Sequence, residues 1–452
     1  MLIDSLGLKN FKCFEELDVK FAPITLLTGA NSSGKSSLIN AILAVLQTEQ
    51  FPLYLSPNGK YAEMGGMKDI IFNNDLSNSI SIDIEFDLYD GDRYFSFNFL
   101  RDNHFKTSWE INKKNELPKL RNMESISSNV QLLVHPVNNH VLVDIFNDEF
   151  GDYEENEEKY FVIHNEFKRI LEQRKGKDIS KKGEYIKIAD LKYKSIEDLA
   201  AQINSTSSGY YFEQEIVDKV FRYTSFVDKQ FNYIGSFRKP PLRTYYQKAK
   251  SQRKVNSDGE GYIDQLIEWQ DTNEGKLNSL IQEVASLGLF DQIKPNRLRG
   301  GRFDLSVKVN KNSKWASLTD IGFGVSQFLP IIVADFQLDH NSCLAVSQPE
   351  IHLHPPIQAA FGNYLASQIK QNKKQYIIET HSEYLLNRIR LLLVTGELKP
   401  EDVRVLYFEN DGTKSTVHDV EFTLKGAVKG APQGFFDTYE MDVMDIAMQA
   451  IG

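Results

Sequence analysis

The stretch Gly29-Ala30-Asn31-Ser32-Ser33-Gly34-Lys35-Ser36 constrains this chain more than any other. It meets every fixed position of the pattern G-x-x-x-x-G-K-[ST]. Ile24 to Thr28, just before it, is a short apolar run with the character of a buried strand. Ser36 to Gln47, just after it, is apolar on almost every side and predicts a helix packed inside a core. A strand, a glycine-rich turn and a helix N-terminus together make an anion cradle, because backbone N–H groups converge there and the helix dipole adds a positive end. In such a cradle Lys35 reaches the β- and γ-phosphates and Ser36 holds Mg²⁺.

The 452 residues suffice for two to three domain-sized units. No run approaches the length of a membrane span, so no membrane contact is expected. Asp4 and Lys9 interrupt any apolar leader at the N-terminus. Cys13 and Cys343 are the only cysteines, far apart and without metal spacing. That suits a reducing compartment, predicts a cytoplasmic location, and excludes a disulfide framework or a cysteine zinc site. The net charge of −10 excludes a chain that is basic as a whole, so any nucleic-acid contact must come from local patches.

Taken in order, Leu2–Leu8 and Phe14–Phe21 read as a hairpin ahead of the phosphate loop. Asn78–Tyr89 alternates apolar and polar residues as a half-buried strand does. Tyr94–Leu100, Val130–Val134 and Val141–Phe146 extend this into an antiparallel lobe. Asp148–Glu158 is strongly acidic and reads as a solvated boundary. Tyr160 to Phe231 is charged and mostly helical in pattern, as in Val162–Gln173 and Glu213–Phe226. From Val325 onward, helix and strand alternate, which argues for a parallel α/β sheet. The expected organisation is therefore residues 1–147 as one half of a nucleotide-binding head with a β lobe, 148–232 as a charged helical insertion, and 233–452 as the other half.

Three further motifs carry chemistry. Cys343-Leu344-Ala345-Val346-Ser347-Gln348-Pro349-Glu350-Ile351-His352-Leu353-His354-Pro355 is an apolar strand ending in polar groups. Phosphate-loop proteins place their Mg²⁺ and water-activating groups at such a strand end. Tyr376-Ile377-Ile378-Glu379-Thr380-His381-Ser382 is a second such strand. Leu318-Thr319-Asp320-Ile321-Gly322-Phe323-Gly324-Val325-Ser326-Gln327 is a glycine-rich turn opening a helix, another anion-binding N-terminus.

With these motifs in this order, both ends of the chain resemble the ABC/SMC-type ATPases, and most closely their Old-like bacterial branch. Members of that branch occur in anti-phage systems such as Septu, PARIS and Old. The resemblance covers roughly residues 1–100 and 230–440 and implies an α/β, ABC-type P-loop NTPase head, with ATP and Mg²⁺ as cofactors. It implies that Gly29, Asn31, Ser32, Ser33, Gly34, Lys35, Ser36 and Ser37 wrap the phosphates. Gly322, Gly324 and Ser326 would form the signature turn against ATP bound to a second head, and His381 would be the switch histidine. Composite sites of this kind imply a homodimer or higher homo-oligomer. The sequence departs from the family at the strand end. Ser347 and Gln348 occupy the slots of the metal-binding and water-polarising acids, so Ser36 and Ser347 are left as metal ligands. Gln348, Glu350, Glu379 and His381 are left as the catalytic candidates, with Glu350 and Glu379 the nearest acids. Slow hydrolysis is expected. Gly322 also stands where the family usually has Ser.

Two basic clusters are open to two readings. Arg238 to Lys254, with Tyr245-Tyr246, and Lys294 to Arg302 could track a nucleic-acid backbone, or could be solvated loops offsetting acidic neighbours. Arg238 and Arg243 are equally open as phosphate-directed or solvated residues. His352 and His354 are two apart but lie in a turn, where packing roles are favoured over metal binding. About sixty residues follow the T-H-S helix, and they read as one strand and a short tail. That is too little for a metal-binding nuclease domain, so any toxic activity is assigned to a separate effector protein. Three functions follow: a sensor or scaffold ATPase of a defence complex, an SMC-like ATPase of DNA repair, or a nucleotide-binding assembly protein without turnover.

Overall fold

The computed structural model describes residues 2–48, 51, 54–87, 102–126, 130–137, 140–147, 185–192, 223–246 and 254–432. The expected strand Tyr94–Leu100, the acidic stretch Asp148–Glu158, the helix Val162–Gln173 and most of Glu213–Phe226 lie outside these residues, as do Lys248, Lys250 and Arg253. The chain divides into two compact units, Phe21–Ile39 with Gln230–Gly452, and Leu2–Lys20 with Asn40–Lys229. The division falls inside the helix α1 (Lys35–Leu46).

The second unit is built on one antiparallel sheet. Its strands are β1 (Ile3–Phe11), β2 (Phe14–Lys20), β4 (Ile80–Asp87), β5 (Asp102–Ile111), β6 (Pro118–Ile126), β7 (Val130–Val137), β8 (His140–Asn147) and β9 (Tyr185–Lys192), in the order β2-β1-β4-β5-β6-β7-β8-β9. The hairpin β1–β2 and the pair β7–β8 fall where the residue pattern puts them. Alternation in β4 buries Ile80, Ile82, Ile84 and Phe86 on one face. Phe51, Phe86, Phe105 and Tyr223 pack there, with Phe51 and Phe105 ring centroids 5.5 Å apart and edge to face. β9 falls inside the stretch between 160 and 231, which the sequence pattern reads as mostly helical and most of which lies outside the described residues. It adds an eighth strand where Tyr185, Ile186 and Ile188 introduce β-favouring residues into a charged segment.

The first unit holds a mostly parallel sheet. Its strands are β3 (Ile24–Gly29), β10 (Phe231–Ile234), β15 (Cys343–Ser347), β16 (Gln375–Glu379), β17 (Val403–Asn410), β18 (Ser415–Phe422) and β19 (Val428–Lys429), in the order β10-β15-β16-β3-β17-β18-β19. β10, β15, β16, β3 and β17 run parallel, and β18 and β19 close the edge antiparallel. Every residue of β15 and β16 is buried, as is β3 up to Thr28, which is why these segments read as unbroken apolar runs. A small sheet of β11 (Tyr245–Tyr246), β12 (Gln292–Arg297), β13 (Arg302–Lys308) and β14 (Ala316–Ser317) accompanies it. Helices α2 (Tyr262–Thr272), α3 (Glu274–Ser286), α4 (Phe323–Gln337), α5 (Pro355–Asn372) and α6 (Glu383–Val394) complete the unit. α5 starts on Pro355-Pro356, whose missing N–H groups are needed by no helical acceptor, and α6 starts on Ser382, whose hydroxyl accepts from Leu385 N at 3.0 Å. The region after α6 holds β17, β18 and β19 rather than a single strand. Thr413 and its neighbours turn β17 into β18 around Asp411, a turn signal that sequence reading passed over. The fold is mixed α/β, with the Gly29–Ser36 loop set between a buried parallel strand and a helix.

One buried polar cluster ties α4 to the sheet. Asp335 has no exposed surface, and its carboxylate accepts from Tyr364 OH, from Tyr376 OH at 3.0 Å, and pairs with the Lys374 ammonium at 3.1 Å. Lys374 also donates to the Asp335 carbonyl at 2.6 Å. Burial pushes both tyrosine hydroxyls well above their ordinary pKa, so they remain donors. Removing one charge from such a group strands the other. Asp335→Asn is expected to lower stability by about 3–5 kcal/mol, read from urea unfolding of the two proteins at one pH. A loss within error of zero would mean that Lys374 finds water or another acceptor.

Candidate nucleotide site

All the strand ends with chemistry come from the parallel sheet, so they meet at one edge. The loop after β3 is shaped by backbone geometry. Gly29 has φ +131°, and a Cβ there would sit 2.2 Å from the Phe408 carbonyl of β17. Gly34 and Ser32 also take left-handed angles. Asn31, Ser32 and Ser36 are exposed, whereas Ser33 is buried with its hydroxyl partnered by no described residue. Lys35 is buried, and its ammonium donates to the Gly29 and Ala30 carbonyls at 3.0 and 2.6 Å. Burial lowers its pKa, opposed by the charges of Glu379 and Glu350.

The register places Ser347 of β15 beside Glu379 of β16. Glu379 is buried and is the centre of the site. Ser36 Oγ lies 2.8 and 3.0 Å from its two carboxylate oxygens, and Ser347 Oγ donates to one of them at 2.9 Å. Tyr233 OH lies 3.2 Å behind Ser347 Oγ, which makes a chain of hydroxyls ending on the carboxylate. A carboxylate thus stands one strand over from Ser347, at the same level. Ser36, Ser347 and Glu379 are hard oxygen donors gathered at one point, and that set fits Mg²⁺. No group of three or more His, Cys, Asp or Glu is placed to hold a metal among the described residues.

Glu350 braces the turn after β16. Its carboxylate accepts from Thr380 Oγ1 at 3.0 Å and from His381 N at 2.6 Å, so it holds the corner after β16 within the chain. Burial raises its pKa, opposed first by the His381 N–H. Gln348 is left-handed at φ +50°, a conformation costing roughly 1–2 kcal/mol for a residue with a Cβ. Its N–H donates to the Glu379 carbonyl at 2.7 Å. The glycine-rich turn before α4 is split in character. Gly322 is exposed, and nothing lies within 4 Å of where its Cβ would be. Gly324 is tight, since a Cβ would sit 2.3 Å from the His352 carbonyl. Ser326 is buried and donates to the Phe323 carbonyl at 2.8 Å, so its hydroxyl is committed to its own helix. The turn makes no hydrogen bond to the Gly29–Ser37 loop among the described residues. His352 packs edge-on against Phe323 at 5.0 Å, and His354 is the N-cap position of α5.

Several basic residues have partners inside the chain. Lys239 pairs with Asp258 and Glu260 at 2.8 and 2.6 Å, and Arg243 pairs with Asp320 at 2.8 Å. Lys254 donates to the Phe231 carbonyl, and Arg297 pairs with Asp271. Arg238 is neither solvated nor paired with an acid; it is buried on two main-chain carbonyls. Sequence reasoning missed Tyr233 altogether, because a tyrosine near a strand end looks like core.

A family model described as an AAA ATPase domain matches residues 1–386. The chain belongs to this AAA ATPase domain family. The phosphate loop, the two strand ends and the glycine-rich helix start all lie in one unit of this chain. No curated protein matches it. Similar solved structures include a Pyrococcus furiosus Smc head domain with an extended coiled coil bound to the C-terminal domain of ScpA (11% identity, 100% of each chain, TM-score 0.43). Another is an SMC head domain from Thermotoga maritima (13% identity, 93% of this chain and 100% of that one, TM-score 0.37). A third is an SmcHead bound to the C-winged helix domain of ScpA (10% identity, 93% and 98%, TM-score 0.45). No helix among the described residues is long and apolar enough to cross a membrane.

His381 is exposed at the surface, yet desolvation, then the charge of Lys35, push its pKa below the ordinary 6.5, against the pull of Glu379. The fold therefore favours the neutral ring: this contribution to stability is present above the unfolded-state pKa and is lost as pH falls through the folded-state value. In Lys35→Ala the midpoint should rise toward the ordinary value, read from the ring C–H resonances over about pH 4 to 8. An unmoved midpoint would show that the two groups do not share a field.

Proposed function

We propose that this ATPase binds ATP-Mg in the Gly29–Ser37 loop and hydrolyses it slowly, with Glu379 in the role left vacant by Ser347 and Gln348. The hydroxyls of Ser36 and Ser347 on the Glu379 carboxylate carry this reading. Ser36 and Glu379, with Ser347 behind, would hold Mg²⁺, which supplies charge neutralisation at the phosphates. Lys35 would leave the Gly29 and Ala30 carbonyls for the β- and γ-phosphates. Gln348 has no basic atom, so the carboxylate that can polarise water must be Glu379, with neutral His381 beside it as a hydrogen-bonding partner. In this reading residues 148–232 are an insertion between two halves of the head. Lys35→Ala should abolish ATP binding by calorimetry. Glu379→Gln should keep binding and cut phosphate release by about 10²–10⁴-fold, whereas Gln348→Glu should raise it. Unchanged turnover in Glu379→Gln would put the catalytic water against other groups.

We further propose that ATP joins two heads through the Gly322–Ser326 turn of the opposite chain, and that the dimer controls a separate effector in an anti-phage complex. The exposed Gly322 supports the first part; the resemblance of the motif set to Old-like ATPases supports the second. Nucleic-acid binding draws less support, since Arg238, Lys239, Arg243, Lys254 and Arg297 have partners within the chain. Gly322→Glu puts a carboxylate where a second head's triphosphate would sit, and like charges at close range repel strongly. It should bind ATP normally and lose ATP-dependent dimerisation in light scattering. Equal masses of the unaltered chain with and without ATP would end this mechanism. Gly324 is unsuited to the test because any side chain there collides with His352.

A further inference from the structure

Arg238 is 6% exposed, yet no carboxylate lies within ion-pair reach of it among the described residues. Both acceptors are main-chain carbonyls: Nη1 donates to Gln327 O at 3.0 Å and Nη2 to Gln348 O at 2.6 Å. Its Nε is buried with no partner among the described residues. Burial pulls the Arg238 pKa down to about 10, opposed first by the charge of Glu350, so the cation is buried at a desolvation cost that packing alone does not explain. The two carbonyls belong to the two loops that flank the candidate chemistry. Gln327 lies at the start of the second turn of α4, just after the glycine-rich turn. Gln348 is the left-handed residue that ends β15, and its N–H is already held by the Glu379 carbonyl. Arg238 therefore holds the other side of the same residue. Two residues on, Glu350 holds the Thr380 hydroxyl and the His381 N–H. The same two loops meet again where Gly324 abuts the His352 carbonyl and Phe323 packs on the His352 ring.

We propose that Arg238 is a positioning residue that locks the Gln348–His352 loop to the N-terminal part of α4, so that whatever engages the glycine-rich turn is felt at the same chain's Glu350, His381 and Glu379. The proposal rests on the reading of the site as an ATP-hydrolysing centre and gives that site its route of regulation. Arg238 makes no hydrogen bond to the Gly29–Ser37 loop. ATP binding is therefore independent of it, and the hydrolytic step is not.

The test is Arg238→Lys, which keeps the charge but cannot span two carbonyls with one planar fork. Arg238→Gln, which retains a planar amide donor, is run beside it. ATP affinity should stay within about twofold while kcat falls by about 10- to 100-fold, the scale of an ångström-level misplacement. Hydrogen exchange should quicken at the amides of Gln348, Leu353 and His381 and stay unchanged in β15 and β16, which shows that the fold is intact. If both variants match the unaltered chain in kcat and in exchange, the inference is overturned while the ATPase reading stands. If the unaltered chain releases no phosphate, the ATPase reading falls, and the exchange comparison alone decides for or against Arg238.

Discussion

The site depends on the register between β15 and β16. Parallel strands lie about 4.8 Å apart, so the side chains of paired residues on one face are neighbours. Ser347 and Glu379 are such a pair. Because β3 is the next strand, and the helix that follows its loop begins with Lys35 and Ser36, the same carboxylate also meets the Ser36 hydroxyl. A shift of one residue in β16 would point Glu379 to the opposite face of the sheet and leave three hydroxyls with no charge among them. The position of the acid is thus a property of strand pairing, and the identity of the residue in β15 matters less than what stands next to it.

A second layer of order keeps that edge from relaxing. Main-chain groups of Gln348, Gln327 and His381 are each held by a side chain or a neighbouring strand, through Arg238, Glu350 and the Glu379 carbonyl. Loops built this way behave as extensions of the sheet, and they keep a left-handed glutamine in place against its own preference. At the far end of α4, Asp335 performs a comparable service with two tyrosines and a lysine.

Much of this was legible in the residues. The strand before the phosphate loop, the alternation of helices and strands after Val325, and the candidacy of Glu379 follow from runs, spacing and the absence of acids at Ser347 and Gln348. What was not legible depended on contacts distant in sequence. Nothing local distinguishes Glu350, which holds a corner, from Glu379, which faces Ser36. Arg238 sits among basic neighbours that pair with acids, and only its burial on two carbonyls sets it apart. Ser326 reads as an exposed contact residue because it follows a glycine-rich turn, yet it lies one helical turn in and bonds back to Phe323. β9 was hidden by the charge of its surroundings.

The place of β3 in the sheet also sets a schedule for synthesis. Its six residues are made well before its two neighbours, β16 and β17, which come about 350 residues later. At about 5–20 residues per second, a ribosome takes roughly 20–70 s to deliver them. For that time Ile24-Thr25-Leu26-Leu27 is an apolar strand with both edges open. The antiparallel sheet of the second unit pairs strand to successive strand over most of its width, with β4 adding to the earlier β1–β2 hairpin, and among the described residues its strand pairing ends at residue 192. The nascent chain therefore completes its β sheet long before its nucleotide site, and an unpaired β3 is what a chaperone would meet in between.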